Sequence, residues 1–504
     1  MTADQAESES IREFAARALA AWSPVVVANR APYEVGARGN MRKGAGGLVT
    51  ALLTVADATG ADWVCCARTA AERERGESGR PVEVPGPLEA LRIHYAVPEP
   101  EAYRGYYSVI SNPLLWFLQH YLWNLPYEPV ITERTWEAWR DGYCHVNRLM
   151  ADRVIRLARG LERPPLVLTQ DYQLYLAPRP IREALPDATL QQFIHIPWPT
   201  AHYWKVIPRE MRHAILDGLL ANDVIGFQTS VDVRNFLLSC EELLGLRVDH
   251  RDRVVLHDGR AVWVRHYPIS VDLPGLEQQA AAPAVERELE ELRSNRPLRR
   301  IARVDRTDPS KNIVRGFLGY ERLLRAHPEW REKVQFHAFL QPSRQDVTAY
   351  RAYLDEIKRT AERINRAFGT RGWRPVRLEL AENFHRALAI YRDFDVLLVN
   401  PIYDGMNLVA KEGMVVNERA GALVLSENAG AFEELGEFAF PVNPFDVDAT
   451  AEALQAALRA PTQDREDRIA AIRRVVSAHD IGRWLVAQVE DVRDLAPRAG
   501  TENV

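Results

Sequence analysis

Val396-Leu397-Leu398-Val399-Asn400-Pro401-Ile402-Tyr403-Asp404-Gly405-Met406-Asn407-Leu408-Val409-Ala410-Lys411-Glu412 holds the architecture of this chain in one stretch. Four successive apolar residues read as a strand buried on both faces, as in a parallel sheet. A turn carrying Asp404 follows, and a helix is expected from near Met406. The amides of Asn407, Leu408 and Val409 at that helix start would point at an anion. Glu412, one or two turns further in, could bind hydroxyls of a nucleotide's ribose. The plainer alternative makes Asp404 a helix cap and Glu412 one of many helix glutamates.

The same grammar recurs along the chain. Apolar, β-rich runs occur at 24–29, 166–170, 193–196 and 224–227, and again at 298–304, 334–339, 396–399 and 422–425. Helical periodicity fills most of the intervals between them. Strands that alternate with helices predict an α/β architecture with parallel sheets. Between the two sets lies His266-Tyr267-Pro268-Ile269-Ser270-Val271-Asp272-Leu273-Pro274-Gly275, read as a hinge. The expected domains are residues 1–272 and 273–480, each with a doubly wound core, and a last helix, 481–504, returning to the first domain.

A length of 504 residues allows two or three domains. With 64 basic against 69 acidic side chains, the net charge of -5 excludes a surface that is globally a nucleic-acid footprint. Local clusters of cations stay open, because net charge says nothing of clustering. Cys65, Cys66, Cys144 and Cys240 lack zinc or disulfide spacing, which suits a reducing compartment. No run approaches the roughly 20 apolar residues that span a bilayer. Met1 to Trp22 starts acidic and is interrupted by Arg12 and Arg17, unlike a signal peptide. Ile11, Phe14, Ala15, Leu19 and Trp22 recur there at helical spacing. A cytoplasmic protein without a membrane or nucleic-acid partner is expected, with homo-oligomerisation left open.

Ligands of doubly wound sheets bind beyond the carboxyl ends of strands, so the residues after each run are the candidates. Asn29-Arg30 follows the first, and the glycine-rich, basic loop 36–48 comes next, suited to face a phosphate. It matches neither a Walker loop nor a dinucleotide fingerprint. Asp171 follows the run at 166–170, and His195 lies within the run at 193–196. Singly, a turn aspartate and a core histidine explain these two. Arg306 and Lys311 stand just beyond the run at 298–304, and Arg344 beyond that at 334–339, three cations suited to phosphates. A solvated charged turn with local Arg–Asp pairs is the alternative. No Asp-x-Asp metal motif stands at a strand end, so neither a metal nor a cofactor is expected.

These residues resemble the trehalose-6-phosphate synthases, retaining glycosyltransferases of the GT-B fold, in which two Rossmann-like domains face across a cleft. The resemblance runs from Val25 to about Trp484. It rests on Ala28-Asn29-Arg30, Gly44-Ala45-Gly46-Gly47-Leu48, Asp171-Tyr172, His195-Ile196-Pro197-Trp198-Pro199, Gly226-Phe227-Gln228-Thr229, Ser343-Arg344 and Asp404 to Glu412. It implies glucose transfer from a nucleotide-glucose to glucose 6-phosphate, giving trehalose 6-phosphate. Arg30, Tyr107, Trp116 and Arg344 would then hold the acceptor and its phosphate. Ser111-Asn112 strengthens the match between Tyr107 and Trp116. Gly47, Arg306, Lys311 and the amides of Leu408 and Val409 would hold the donor diphosphate, with Asn407 beside them. Asp171, His195 and Asp404 would surround the donor glucose, and Glu412 would bind the ribose. Closure at the hinge would exclude water.

The chain departs from the family pattern at three points. Gln170 stands where many members have His, and Cys66 where many have a tryptophan near the acceptor. Arg306-Thr307-Asp308-Pro309-Ser310-Lys311 replaces the more usual Arg-Leu-Asp-Tyr-x-Lys. That variant resembles an actinomycete-like branch in which guanine donors occur, which points to GDP-glucose ahead of UDP-glucose. The base-binding loop is expected near Ala381-Glu382-Asn383-Phe384. Two rivals are a pseudo-glycosyltransferase that joins cyclitols and a silent sugar-phosphate-binding regulator. Arg30 and the Asn-Leu-Val-Ala segment speak against the first, and Arg306, Lys311 and Asp404 against the second.

Overall fold

The computed structural model describes residues 11–35, 41–43, 52–53, 56, 59–84 and 91–495. They fall into two compact units, one drawn from Met1–Gln119, Trp123–Pro268 and Gly482–Val504, the other from His120–Leu122 and Ile269–Ile481. Both are α/β with parallel sheets, the class expected from the strand and helix pattern.

Seven parallel strands organise the first unit. They are β1 (Ser23–Val27), β2 (Asp62–Cys66), β3 (Leu91–Ala96), β4 (Pro165–Gln170), β5 (Thr189–Ile194), β6 (Val224–Phe227) and β7 (Arg260–His266), in the order β3-β2-β1-β4-β5-β6-β7. Antiparallel strands Val82–Val84 and Val254–His257 edge β3 and β7. Residues at 25–27 and throughout β6 are buried, which is why these strands read as unbroken apolar runs. β2 hides a charge instead. Asp62 is buried and bonded to Arg92 at 2.8 Å and His94 at 2.6 Å, both on β3. The helix Ile481–Leu495 lies on this sheet, with Trp484 edge-on to Phe193 and Gln488 accepting from Gln191 at 2.9 Å.

The second unit has a wholly parallel sheet of six strands among the described residues. These are β8 (Arg299–Arg306), β9 (Val334–Gln341), β10 (Val376–Leu380), β11 (Val396–Val399), β12 (Ala422–Ser426) and β13 (Phe440–Val442), in the order β10-β9-β8-β11-β12-β13. Ile301, Phe317, Leu323, Phe336, Leu398 and Leu454 fill its core. β8 pairs with β9 along eight residues but with β11 only at Ile301–Val396 and Ala302–Leu397. At their amino ends β8 and β11 are riveted by charge. Arg296 donates to Asp393 and Asp395 at 2.9 and 2.6 Å, Arg299 to Asp395 at 3.0 Å, and Arg300 to Asp393 at 2.5 Å, with both carboxylates out of solvent. Among the described residues no helix is long and apolar enough to cross a membrane.

Removing one partner of a fully buried ion pair strands the other charge. Arg300→Met should therefore lower the unfolding free energy by about 3–5 kcal/mol in denaturant titration. Arg322→Met, which breaks an exposed pair with Asp448, should cost less than about 1 kcal/mol.

Candidate active site

In both sheets the strand order reverses once, between β1 and β4 in the first and between β8 and β11 in the second. Helices leaving the two strands go to opposite faces, so the gap beyond their carboxyl ends is left for ligands. Most of the candidate side chains follow these four strands.

In the first unit Asn29 and Arg30 leave β1. Arg30 donates to the Tyr107 hydroxyl at 2.9 Å, and its guanidinium lies 5.9 Å from that ring's centre. Tyr107 stacks on Tyr103 with rings 5.7 Å apart. Trp116 is buried against Tyr172, whose hydroxyl donates to Asn112 at 2.8 Å. Asp171 leaves β4 with φ 70° and ψ 177°, backbone that is almost confined to glycine. Such a conformation costs about 1–3 kcal/mol and persists only where its surroundings enforce it. Here its amide donates to Phe193 at 2.7 Å, its carbonyl accepts from Gln192 at 3.1 Å, and Oδ1 accepts from the His195 amide at 3.2 Å. Strain at a strand end next to a switch point is a mark of function. His195 follows β5 rather than lying inside it, 3.1 Å from Gln170 Oε1. Burial pushes its imidazole down to about 3, so the ring is neutral at neutral pH. Gly226 on β6 makes room beside it, since a Cβ there would meet the Phe193 and Tyr267 rings at 2.7 Å. Gly47 lies outside the described residues.

The second unit gathers its cations around buried carboxylates. Arg306 ends β8 and pairs with Asp308 at 2.7 Å. A single 3-10 turn, Pro309–Lys311, leads through Asn312, with φ 59°, into the helix Ile313–Ala326. Arg344, after β9, lies 3.7 Å from Asp308 and donates to the Tyr350 hydroxyl at 2.7 Å. The Arg306–Asp308 pair is local, as a charged turn would have it, but Asp308 is fully buried. Burial pushes its carboxyl up, yet Arg306, Arg344 and Lys311 outweigh that and hold it at about 2. Asp308 is thus a fixed negative charge between two arginines, one of them half-exposed.

Lys311 reaches Asp404 at 2.5 Å and Asp305 at 4.0 Å. Burial pushes Asp404 up, but Lys311, with His120 and Arg306, brings its carboxyl below the usual range. The Asp404 loop is pressed onto residues 428–430. A Cβ on Gly430 would sit 1.7 Å from the Gly405 carbonyl oxygen, so only glycine fits there. Asn407 donates to Asp404 at 3.0 Å and has φ 70°. A left-handed residue cannot belong to an α-helix, and the helix accordingly runs Val409–Val416, later than the expected start near Met406. Of its first amides, Ala410 donates to the Asn407 carbonyl at 3.2 Å and Lys411 and Glu412 to that of Leu408 at 2.9 and 2.8 Å, so the end that favours an anion is at Leu408 and Val409.

Glu412 stands apart from the cations. Its Oε2 accepts from the Tyr391 hydroxyl at 3.4 Å, and burial raises its carboxyl. Lys411, by contrast, is a structural residue, buried on Glu434 and donating to the Ile269 carbonyl at 3.0 Å. Cys66 is buried at the end of β2, 3.6 Å from the Met150 sulfur.

The structure therefore brings Arg30 and Tyr107 together, Asp171 with His195, Arg306 and Arg344 on Asp308, and Lys311 and Asn407 on Asp404. Sequence reasoning missed Asp305, Asp308 and His120. A charged turn reads as solvated, so nothing local marked the two aspartates as buried countercharges. Chemically, the second unit offers paired cations and helix amides for a diphosphate, with a carboxylate beside them for hydroxyls. The first offers an arginine under tyrosines and a strained aspartate.

The sequence pattern of glycosyltransferase family 20 matches residues 23–494. A bifunctional trehalose-6-phosphate synthase/phosphatase from Thermoproteus tenax is 35% identical over 476 residues, covering 91% of this chain and 62% of that protein. The chain spans 57% and 51% of two Arabidopsis thaliana relatives. Among solved structures, a trehalose-6-phosphate protein from E. coli bound with UDP-2-fluoro glucose superposes with a TM-score of 0.82 at 29% identity, over 94% of this chain and all of that one. An alpha,alpha-trehalose-phosphate synthase (UDP-forming) from Burkholderia xenovorans in complex with glucose-6-phosphate gives 0.79 at 27% identity, again over 94% of this chain and all of that one. With the family pattern spanning both sheets and both switch points, this chain belongs to glycosyltransferase family 20.

Proposed function

We propose that the chain transfers glucose from a nucleotide-glucose to glucose 6-phosphate with retention, forming trehalose 6-phosphate. The observation that carries the reading is the group at the second switch point, Arg306 and Lys311 beside the helix start at Leu408 and Val409. Breaking the anomeric bond puts developing negative charge on the leaving diphosphate, and cations already held by buried carboxylates stabilise it without reorganisation. Arg306, Lys311 and the amides of Leu408 and Val409 take that charge, together with Gly47. Asp171, His195 and Asp404 line the glucose, Asn407 stands beside the diphosphate contacts, and Glu412 takes the ribose hydroxyls. Arg30, Tyr107, Trp116 and Arg344 hold the acceptor and its phosphate.

A retaining glycosidase needs two carboxyl groups about 5 Å apart, one of them a nucleophile. Asp404 is committed to Lys311 and Asp308 to Arg306 and Arg344, while Asp171 accepts from a backbone amide. The reading is accordingly a front-face displacement in which the leaving diphosphate accepts the acceptor's proton. Relatives named for trehalose-6-phosphate synthesis, and neighbours solved with a UDP-sugar analogue and with glucose 6-phosphate, support it. The Thr307-Asp308-Pro309 variant favours GDP-glucose over UDP-glucose.

Purified protein given glucose 6-phosphate and UDP-, GDP- or ADP-glucose in parallel should release nucleoside diphosphate and form trehalose 6-phosphate, fastest with GDP-glucose. Failure with all three donors would reject the assignment, and a UDP preference would reject the base alone. Arg306→Ala and Lys311→Ala should each raise the barrier by about 2–4 kcal/mol, read as kcat/KM, while circular dichroism stays unchanged. Near-normal turnover in both would mean that the diphosphate binds elsewhere.

A further inference from the structure

His195 has both ring nitrogens occupied by amide side chains. Nε2 lies 3.1 Å from Gln170 Oε1, and Nδ1 lies 3.4 Å from Gln228 Nε2. An amide nitrogen only donates and an amide oxygen only accepts, so the two contacts demand the same thing of the ring. With the amides so oriented, Nε2 carries the proton and Nδ1 is bare. Gln170 is oriented independently, because its own Nε2 donates to the Leu168 carbonyl at 3.4 Å. Gln170 and Gln228 are 5% and 2% exposed, so neither swings freely into solvent.

The ring is wedged from the other sides as well. Phe193 lies 4.5 Å from it, with Trp484 edge-on behind. The His195 amide is tied to Asp171. The ionisable groups on the surrounding elements are Asp171 on the loop after β4, Tyr267 and Arg265 with Asp491 behind Phe193, and Asp232 in the helix after β6. Asp171 meets His195 through its backbone amide, and the imidazole itself meets neutral amides.

We propose that Gln170 and Gln228 are positioning residues that lock His195 as the neutral Nε2–H tautomer, a rigid wall that takes no part in proton transfer. The catalytic part of the inference rests on the proposed glucosyl transfer. There the bond from C1 to the diphosphate oxygen breaks and the bond from C1 to the acceptor oxygen forms. The acceptor's hydroxyl proton passes to the departing diphosphate and not to His195. A histidine at 170, as many family members have, can either donate or accept and would leave the tautomer undefined. The amide removes that freedom.

The test is a long-range proton–nitrogen correlation spectrum of protein labelled with 15N-histidine, with His195→Asn identifying the resonance among 13 histidines. The expected pattern is a protonated Nε2 and a bare Nδ1, unchanged from about pH 5 to 8. Gln170→Glu puts a carboxylate on Nε2. It should raise the ring's pKa into that window and add an ionisation to the pH profile of kcat/KM that the unsubstituted protein lacks. Gln170→Leu should lower kcat about tenfold, the scale of one lost hydrogen bond. A proton on Nδ1, or an unsubstituted His195 that titrates in the window, overturns the proposal. The spectrum needs no turnover, so it stands or falls separately from the transferase assignment.

Discussion

The contact between β8 and β11 is two residue pairs long, and the donor-side geometry proposed here depends on it. Asp393 and Asp395 hold the amino ends of the two strands under Arg296, Arg299 and Arg300. Beyond Ala302 and Leu397 the ladder stops and the strands part. Arg306 and Lys311 ride on one diverging end and Asp404 on the other. The distance between those ends is therefore set from below by these buried ion pairs and, above the ladder, by buried Arg303, which donates to Asn400 and to the Lys311 carbonyl. Polar anchors at both the closed and the open end, the latter including Asn312 donating to the Asn400 carbonyl at 3.0 Å, hold the two strand ends in register.

The same economy governs charge at the open end. A cluster of cations with no phosphate bound would repel itself, and it is held together by carboxylates out of solvent. Asp308 bridges Arg306 and Arg344, and Asp404 meets Lys311. An incoming diphosphate would exchange one anion for another rather than meet bare positive charge. A chain of net charge -5 thereby holds a cluster of cations of which its overall charge gives no hint.

Where burial and apolarity coincide, the sequence was legible to the residue. Val224–Phe227 and Val396–Val399 read as strands and are strands with those ends. Legibility failed where polar groups are satisfied at a distance. β5 begins at Thr189, not Phe193, because Gln191 and Gln192 are buried in it, bonded to Gln488 and to the Asp171 carbonyl. No local pattern marks a glutamine as interior when its partner lies nearly 300 positions away. The strand-end rule singled out Arg30, Asp171, Arg306, Lys311, Arg344 and Asp404, and each lies at or within several residues of a strand's carboxyl end. It could not find Asp308, whose burial comes from tertiary packing, or the left-handed Asn407 that delays the next helix.

The return of the helix Ile481–Leu495 to the first sheet has a consequence for biosynthesis. Trp484, Leu485, Val489 and Val492 line, with Leu19, Leu166 and Leu168, the space over β4. That apolar face stays bare on a nascent chain until those last residues leave the ribosome. At about 5–20 residues per second the wait, from the end of β7 onward, is on the order of ten seconds or more. The second sheet can thus be complete before the first is closed.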